Sequence, residues 1–239
     1  MFLIEKIFSG YAMPSLFKSL AELLEKVEAT KKRLEIIDLT ANYLKKLSPE
    51  EIESATNMMV GRAFPKYSQK TLDISWSTLT QVLERTSHFD WNLWRQAMAT
   101  TGDIGSATKS VLEQTKAKKQ MQLTEKSLTI TEVRRSLEVI AQASGAGSRT
   151  RKERLVTALF SQAMPVEAKY LVKIFTGEMR TGLHEGLMEQ AVAKAFDVPL
   201  QKVQHASMVM GDIGEVVATL KTHGLEGLDK AGFSVFRPV

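Results

Sequence analysis

The sequence contains PEEIESATNMMVG at residues 49–61 and, 116 positions later, PVEAKYLVKIFTG at residues 165–177. Both stretches begin with a proline, carry a glutamate two places on and end with a glycine. A proline at the first helical position and a glycine just past the last one are typical of an α-helix. Each stretch therefore predicts one helix, and their match indicates that the chain contains the same helical unit twice.

Two further features recur in the same order along the chain. The basic turn at residues 30–33 precedes one helix as residues 146–149 precede another, so that Arg33 aligns with Arg149. The tetrapeptide GDIG occurs at residues 102–105 and again at residues 211–214. Chance similarity between helices could explain the first match but hardly the repeated GDIG. We therefore predict a pseudo-two-fold duplication, with halves of about 14–112 and 127–221.

Most of the remaining sequence also has apolar residues at helical spacing, as in Leu16, Leu20, Leu23, Leu24 and Val27, and strand-like alternation is rare. Short breaks between these stretches carry Gly, Pro or Ser, which is typical of connections between antiparallel helices. The pattern predicts an all-α fold, built as a single compact domain of many helices rather than two independent domains.

Composition excludes several classes of protein. The 239 residues are 44% apolar and 25% charged, which is typical of a globular domain with a sizeable core. Because cysteine is absent, the chain has no disulfide scaffold, thiol nucleophile or thiolate zinc site. The four histidines never have the spacing that places two imidazoles on one helix face, so no metal site is expected. Charges at Glu5 and Lys6 and the absence of a long apolar run predict a cytoplasmic protein that spans no membrane.

The positive charge is concentrated in one fifth of the sequence. Residues 109–154 hold eleven Lys or Arg against five acids, a surplus of +6 within a chain whose net charge is +5. A concentrated excess of this kind suits a polyanion-binding surface, because each Lys or Arg placed on a phosphate releases counterions. A solvated basic face that only aids solubility would give the same count.

Three kinds of turn are candidates for contact with an anion. Residues 145–154, GAGSRTRKER, are small at the start and basic at the end, and lead into a helix expected to begin near Lys152. Residues 176–183, TGEMRTGL, place Arg180 between two glycines. In each GDIG turn the aspartate can cap the following helix, and the glycines would leave backbone N–H groups uncovered for a phosphate. A tight turn in which glycine only relieves strain is the alternative.

In combination, these motifs resemble the N-terminal DNA-binding domain of ATP-dependent DNA ligases of the archaeal and eukaryotic replicative type. The similarity runs from about Pro14 to the end and rests on residues 147–196, on MGDIGEVV at 210–217 and on TTGDIGSAT at 100–108. It implies a domain of about a dozen helices over residues 13–232, with residues 1–12 as an extension and residues 233–239 as the start of a linker to an adenylation domain.

The resemblance also implies a function: binding of nicked duplex DNA across the minor groove, mainly through phosphates, during replication and repair. The residues expected to contact DNA are Ser148, Arg149, Thr150, Arg151, Lys152, Gly177, Arg180, Thr181, Gly182, Gly211, Gly214, Gly102, Gly105, Lys31, Lys32 and Arg33. A monomer suffices, because the pseudo-symmetry presents two similar edges, and the protein would be associated with the nucleoid. Part of a sliding-clamp motif remains at Gln120 and Leu123, but its aromatic pair is missing.

One departure from the ligase pattern is important. The adenylation motif Lys-x-Asp-Gly is absent, since no Asp-Gly pair occurs in the sequence. The chain would then be either a part of a longer ligase or a relative without catalysis, and it would hold neither ATP nor magnesium itself. A helical protein-interaction module that binds a clamp or a repair partner remains the alternative function, and it requires an exposed apolar stripe in place of a shared basic face.

Overall fold

The computed structural model describes residues 14–87, 89–116 and 127–231. This part of the chain forms twelve α-helices and one isolated antiparallel bridge between Leu16 and Thr129, which confirms the all-α prediction. The last of these helices, Ile213–Ala231, is bent at Gly224, where the backbone leaves the helical conformation. The helices are α1 Phe17–Ala29, α2 Arg33–Leu44, α3 Pro49–Met59, α4 Trp76–Ser87, α5 Trp91–Thr101, α6 Ile104–Lys116, α7 Ile130–Gln142, α8 Ser148–Gln162, α9 Pro165–Thr176, α10 Glu185–Phe196, α11 Leu200–Met210 and α12 Ile213–Ala231.

Local sequence signals fix the ends of several helices. α3 and α9 both begin at the prolines that predicted them. α7 begins with a capping box, in which the Thr129 hydroxyl accepts from the Glu132 N–H and a Glu132 carboxylate oxygen accepts from the Thr129 N–H. α9 ends at Gly177 with a φ of 70°, a left-handed conformation that glycine adopts at little cost.

The core is one continuous cluster of apolar side chains contributed by both parts of the sequence. α1 supplies Phe17, Leu20 and Leu24, all fully buried. α9 lies deepest, because every residue from Glu167 to Phe175 is buried. A helix surrounded on all sides cannot belong to an independent half, so the described residues form a single domain.

Helix contacts come in pairs at corresponding places. α6 packs on α9 and α12 packs on α3; α10 packs on α2 and α4 packs on α8. Each of these pairs joins a helix from the first six to one from the last six. The internal duplication stays a prediction, with which this pairing of contacts agrees. The expected extension at residues 1–12 and the linker at 233–239 lie outside the described residues.

Candidate nucleic-acid interface

The first basic cleft forms where the start of α2 faces the loop before α10. It has a volume of about 490 Å³ and brings together residues that lie far apart in the sequence. Lys31 and Arg33 lie on one wall, and Arg180 and Gly182 on the other. The full lining is Glu28, Thr30, Lys31, Arg33, Ile36, Arg180, Thr181, Gly182, His184 and Leu187.

The second basic cleft forms where the start of α8 faces the loop before α4. Its volume is about 480 Å³, close to that of the first cleft. Ser148 and Arg149 lie on the α8 side, and Asp73 and Ser75 on the loop side. The full lining is Asp73, Ile74, Ser75, Thr78, Ala143, Ser144, Ser148, Arg149 and Lys152. In both clefts, the basic start of one half's second helix thus faces a loop of the other half.

The loops that close the two clefts both contain a non-glycine residue in the left-handed conformation. The φ angle is 44° at Arg180 and 48° at Asp73. Such residues are uncommon and are enriched at binding sites. The Arg180 guanidinium pairs with Glu178 at 3.0 Å and its side chain is 62% exposed, so it can also reach an incoming ligand.

The helix after the SRTRK motif begins earlier than expected. α8 starts at Ser148 after Gly147, which has a φ of 76°, so Arg149, Thr150 and Arg151 lie in the first helical turn rather than in a loop. The cause is that Gly147 supplies the left-handed turn by itself. The first backbone N–H groups of a helix have no intrahelical acceptor, and here they lie beside two arginine side chains.

Two of the predicted contact residues point into the protein. Lys152 is 7% exposed; its ammonium donates to the Leu72 carbonyl at 2.8 Å and lies 3.4 Å from Asp73. Thr181 is 5% exposed, and its hydroxyl accepts from the Leu183 N–H. Both residues hold the loops of the clefts, because their polar atoms bond to loop backbone rather than facing solvent.

In both GDIG turns the aspartate caps the following helix, as predicted. An Asp103 oxygen accepts from the Ser106 N–H at 2.7 Å, and an Asp212 oxygen accepts from the Glu215 N–H at 3.0 Å. The expectation of uncovered amides differs from the structure at Gly105 and Gly214, which are buried. A Cβ on Gly105 would lie 2.8 Å from the Lys169 carbonyl oxygen. Glycine is needed at both positions for close helix packing.

The first glycines of these turns serve another purpose. Gly102 ends α5 and Gly211 ends α11, each in the left-handed conformation, with no atom near the place of a Cβ. Gly177, at the end of α9, is equally open. None of these three glycines lines a basic cleft. Their predicted contacts with DNA stay predictions.

An ionic network centred on the buried Lys173 includes Glu28, which lines the first cleft. Lys173 is fully buried, and its ammonium bonds Glu28 at 2.7 Å and Asp103 at 2.9 Å. Lys169 bonds Glu28 at 2.5 Å and Glu25 at 2.6 Å. Because Glu28 also lines the cleft, the network connects α1, α6 and α9 to the wall of the site.

The pKa values of two members of this network, Glu25 and Lys169, favour their charged forms. Burial raises the pKa of Glu25, but hydrogen bonds from Lys109 and Lys169 outweigh burial and lower it. Burial likewise lowers the pKa of Lys169, while hydrogen bonds to Glu25 and Glu28 raise it overall. Paired in this way, the groups stay ionised within the protein.

The basic surplus of residues 109–154 is not one exposed face. Lys109 pairs with Glu25, Arg134 pairs with Glu138, and Lys152 is buried. Residues 117–126 lie outside the described part, and with them the clamp candidates Gln120 and Leu123. The charge count overstates the basic surface because it ignores burial, as at Lys152, and ion pairs with other segments, as between Lys109 and Glu25.

Residues that sequence analysis missed also line the clefts: Glu28, Asp73, Ser75, Ser144 and His184. The offset of 109 residues between the two GDIG turns also aligns Ser75 with His184 in the sequence, so that either residue, once identified, could have indicated the other. Within the described ranges, no group of three or more potential ligands could hold a metal ion. Nor does any helix there combine the length and apolar character that crossing a bilayer requires.

With this geometry established, comparison with known proteins assigns the family. The model of the family described as DNA ligase N terminus matches residues 16–193, which include both clefts. The chain belongs to the DNA ligase N-terminal family. That span holds α1 to α9 and most of α10, so the family match covers the elements that form the site.

Archaeal ligases are similar to this DNA ligase N-terminal family member over most of its length. It is 35% identical to DNA ligase 2 of Methanosarcina mazei, over 93% of this chain and 40% of that protein. It is 37% identical to DNA ligase 1 of Korarchaeum cryptofilum, over 84% of this chain and 36% of that protein. The chain thus spans about two fifths of the length of these relatives.

Proposed function

We propose that this chain is the duplex-binding part of an ATP-dependent DNA ligase, which grips the phosphate backbone across the minor groove around a nick. The observation that carries the proposal is the pair of basic clefts. In each cleft, an arginine at a helix start of one half, Arg33 or Arg149, faces a loop of the other half. Two equivalent anion sites on one rigid domain suit the two strands of a duplex.

The electrostatics of the helix starts support an anionic partner. A helix N-terminus carries partial positive charge, so basic side chains there are unfavourable for stability. The first turn of α8 nevertheless holds Arg149 and Arg151 and no acid, and α2 begins at Arg33 directly after Lys31 and Lys32, with Glu35 in its first turn. Folding does not account for this excess of positive charge, whereas phosphates bound at these helix starts would neutralise it.

The contacts expected on the surface are a subset of those predicted from sequence. They are Lys31, Lys32, Arg33, Ser148, Arg149, Thr150, Arg151, Arg180 and Gly182. Contacts of this type recognise phosphates rather than base edges, so binding should be independent of sequence and strongly weakened by salt. A ligase needs this property because it must seal nicks in any sequence.

The partners follow from the same proposal. ATP and magnesium would be bound by catalytic domains that lie elsewhere in the longer relatives, and this domain would hold the nicked duplex for them. Clamp binding through Gln120 and Leu123 remains a separate, weaker proposal. Titration of the chain with its cognate clamp tests it, and no binding near micromolar concentration would exclude it.

The test of the main proposal is a fluorescence-anisotropy titration of nicked duplex at several salt concentrations between about 50 and 200 mM. Arg33→Ala and Arg149→Ala should each reduce the salt slope by about one and weaken binding equally on unrelated sequences. The double variant should show the sum of both effects. Lys202→Ala is the control, because this exposed lysine pairs with Asp229 and lines neither cleft.

Unchanged affinity and slope in the double variant would contradict the assignment of the clefts. A wild-type chain that binds no duplex at low salt would contradict the whole proposal and favour the protein-interaction module. The large apolar side chains exposed in the described residues lie on separate elements of the fold: Leu16, Leu34, Tyr67, Trp76, Val139 and Met208.

A further inference from the structure

The start of α2 exposes a large apolar side chain in the middle of its basic surface. Leu34 is 76% exposed, the highest value among the large hydrophobic residues described. It follows directly on Lys31, Lys32 and Arg33. A single exposed leucine is ordinary on a protein surface, so its meaning depends on what surrounds it.

The surroundings of Leu34 connect it to the first basic cleft. Arg33 lines that cleft and also an adjoining surface cleft, whose walls include Lys32, Leu34 and Leu39. Two acids line this adjoining cleft: Glu35 accepts from the Thr30 hydroxyl, and Asp38 pairs with Lys194. A ligand at this surface meets an exposed leucine beside Lys32 and Arg33, with the negative charge of Glu35 nearby.

The corresponding position in the other half is polar. The 116-residue offset that aligns Arg33 with Arg149 aligns Leu34 with Thr150. Both residues lie in the first turn of their helix and are exposed. Each cleft is therefore lined by an arginine whose next residue in the sequence lies beside the cleft, a leucine at the first cleft and a threonine at the second.

Resting on the proposed function, we propose that Leu34 packs against the deoxyribose edge of one DNA strand and makes the surface beside the first cleft selective for deoxyribose over ribose. A backbone held by Arg33 at its phosphate places the neighbouring sugar within reach of the adjacent side chain. The sugar of DNA has a methylene group at its 2′ position, whereas the sugar of RNA carries a hydroxyl there. Against leucine this hydroxyl would lose its water without gaining a hydrogen bond, which is unfavourable.

Salt dependence separates this contact from the phosphate contacts. Burial of an apolar side chain releases no counterions, so Leu34→Ala should weaken DNA binding without changing the salt slope. Arg33→Ala, by contrast, should lower the slope by about one. Leu34→Thr copies the other half and should tolerate the 2′-hydroxyl, because threonine can bond it.

The experiment measures the dissociation constants of the 239-residue chain for a labelled DNA duplex and for an RNA–DNA hybrid of the same sequence. Leu34→Ala should weaken binding to the DNA duplex about threefold to tenfold and binding to the hybrid clearly less. Leu34→Thr should likewise reduce the preference for the DNA duplex, so that its two dissociation constants lie closer together than those of the wild type. Met208→Ala is the matched control, since Met208 is 75% exposed but lies on α11, away from either cleft.

Four results would overturn the proposal. An affinity of Leu34→Ala within about twofold of wild type would show that Leu34 makes no contact. An equal loss on DNA and hybrid would show that it does not distinguish the sugars. A reduced salt slope in Leu34→Ala would show that it only positions Arg33. A wild-type chain that binds no duplex would overturn the proposed function as well, and is distinguishable because every variant would then be equally inactive.

Discussion

The two GDIG turns have the same sequence and the same local structure, but different groups bond the side chains of their aspartates. In both, the aspartate caps the next helix and the second glycine lies against a helix of the other half. Asp103 meets the buried ammonium of Lys173 at 2.9 Å. Asp212 accepts from the Asn57 amide at 3.2 Å and from the Lys66 N–H at 2.8 Å, and its ion pair with the Arg62 guanidinium is longer, at 3.8 Å.

This difference shows which part of the motif is fixed by geometry and which part is not. The glycine allows two helices to approach closely, and no other residue can replace it without moving them. The aspartate needs donors, but an ammonium, an amide or a backbone N–H can each supply them. Lys173 and Asn57 lie 116 residues apart, at aligned positions of α9 and α3.

The largest effect should come from removing the charged partner. Lys173→Met leaves the carboxylates of Asp103 and Glu28 without their shared cation in a buried place. Breaking a buried ion pair in this way costs about 3–5 kcal/mol. Urea denaturation followed by circular dichroism should therefore show a much lower free energy of unfolding.

The matched variant at the other turn is Asn57→Ala. Asp212 keeps the Lys66 and Glu215 N–H donors, so the loss should be only about 1–2 kcal/mol. Equal losses in the two variants would remove the distinction between an aspartate held by a buried ammonium and one held mainly by an amide and backbone N–H groups. Such a result would indicate that Lys169 replaces Lys173 in the network.

An effect smaller than that of Lys173→Met, and equal at the two turns, is expected from filling the two buried glycines. A Cβ at Gly105 would lie 2.8 Å from the Lys169 carbonyl oxygen, and one at Gly214 would lie 2.8 Å from that of Glu53. Since backbone must move in both cases, Gly105→Ala and Gly214→Ala should each cost about 1–3 kcal/mol. Thermal unfolding of the two variants compares them directly.

Gly186→Ala provides the control for both glycine variants. Gly186 lies in α10, and its added Cβ would make only ordinary contacts of 3.5 Å with His184. Because alanine favours a helix over glycine, this variant should be neutral or slightly more stable. A strongly unequal result for Gly105 and Gly214 would show that the turns differ in packing as well as in charge.

The smallest effect concerns acid pH. Burial raises the pKa of Asp103, but hydrogen bonds from Ser106 and Lys173 outweigh burial and hold the pKa below its usual value of 3.8. Asp103 therefore stabilises the fold fully above that value, and this stability is lost as the pH falls through the lower folded pKa. Asp103→Asn should flatten the decline of the unfolding free energy as the pH falls below about 4.

Asp229→Asn, which changes an exposed aspartate paired with Lys202, serves as the comparison for this pH measurement. Both variants remove one carboxylate, but only Asp103 lies in the buried network. An equally flattened curve in Asp229→Asn would mean that the acid dependence does not come from the turn at residues 102–105.

Sequence alone determined the local features of this protein. Helical spacing predicted the all-α fold, prolines predicted the starts of α3 and α9, and the aspartates of both GDIG turns predicted their caps. These predictions succeed because each depends on atoms only a few residues apart. The resemblance carried by the same motifs agrees with the family to which the chain belongs.

Tertiary structure decided which predicted residues share a site. The sequence could not show that Arg33 faces Arg180, that Lys152 turns inward to the Leu72 carbonyl, or that Gly105 is covered by α9. Each of these facts depends on how helices from opposite halves pack against one another. Burial and ion pairing are properties of that packing, because the energy of a charge depends on neighbours distant in sequence.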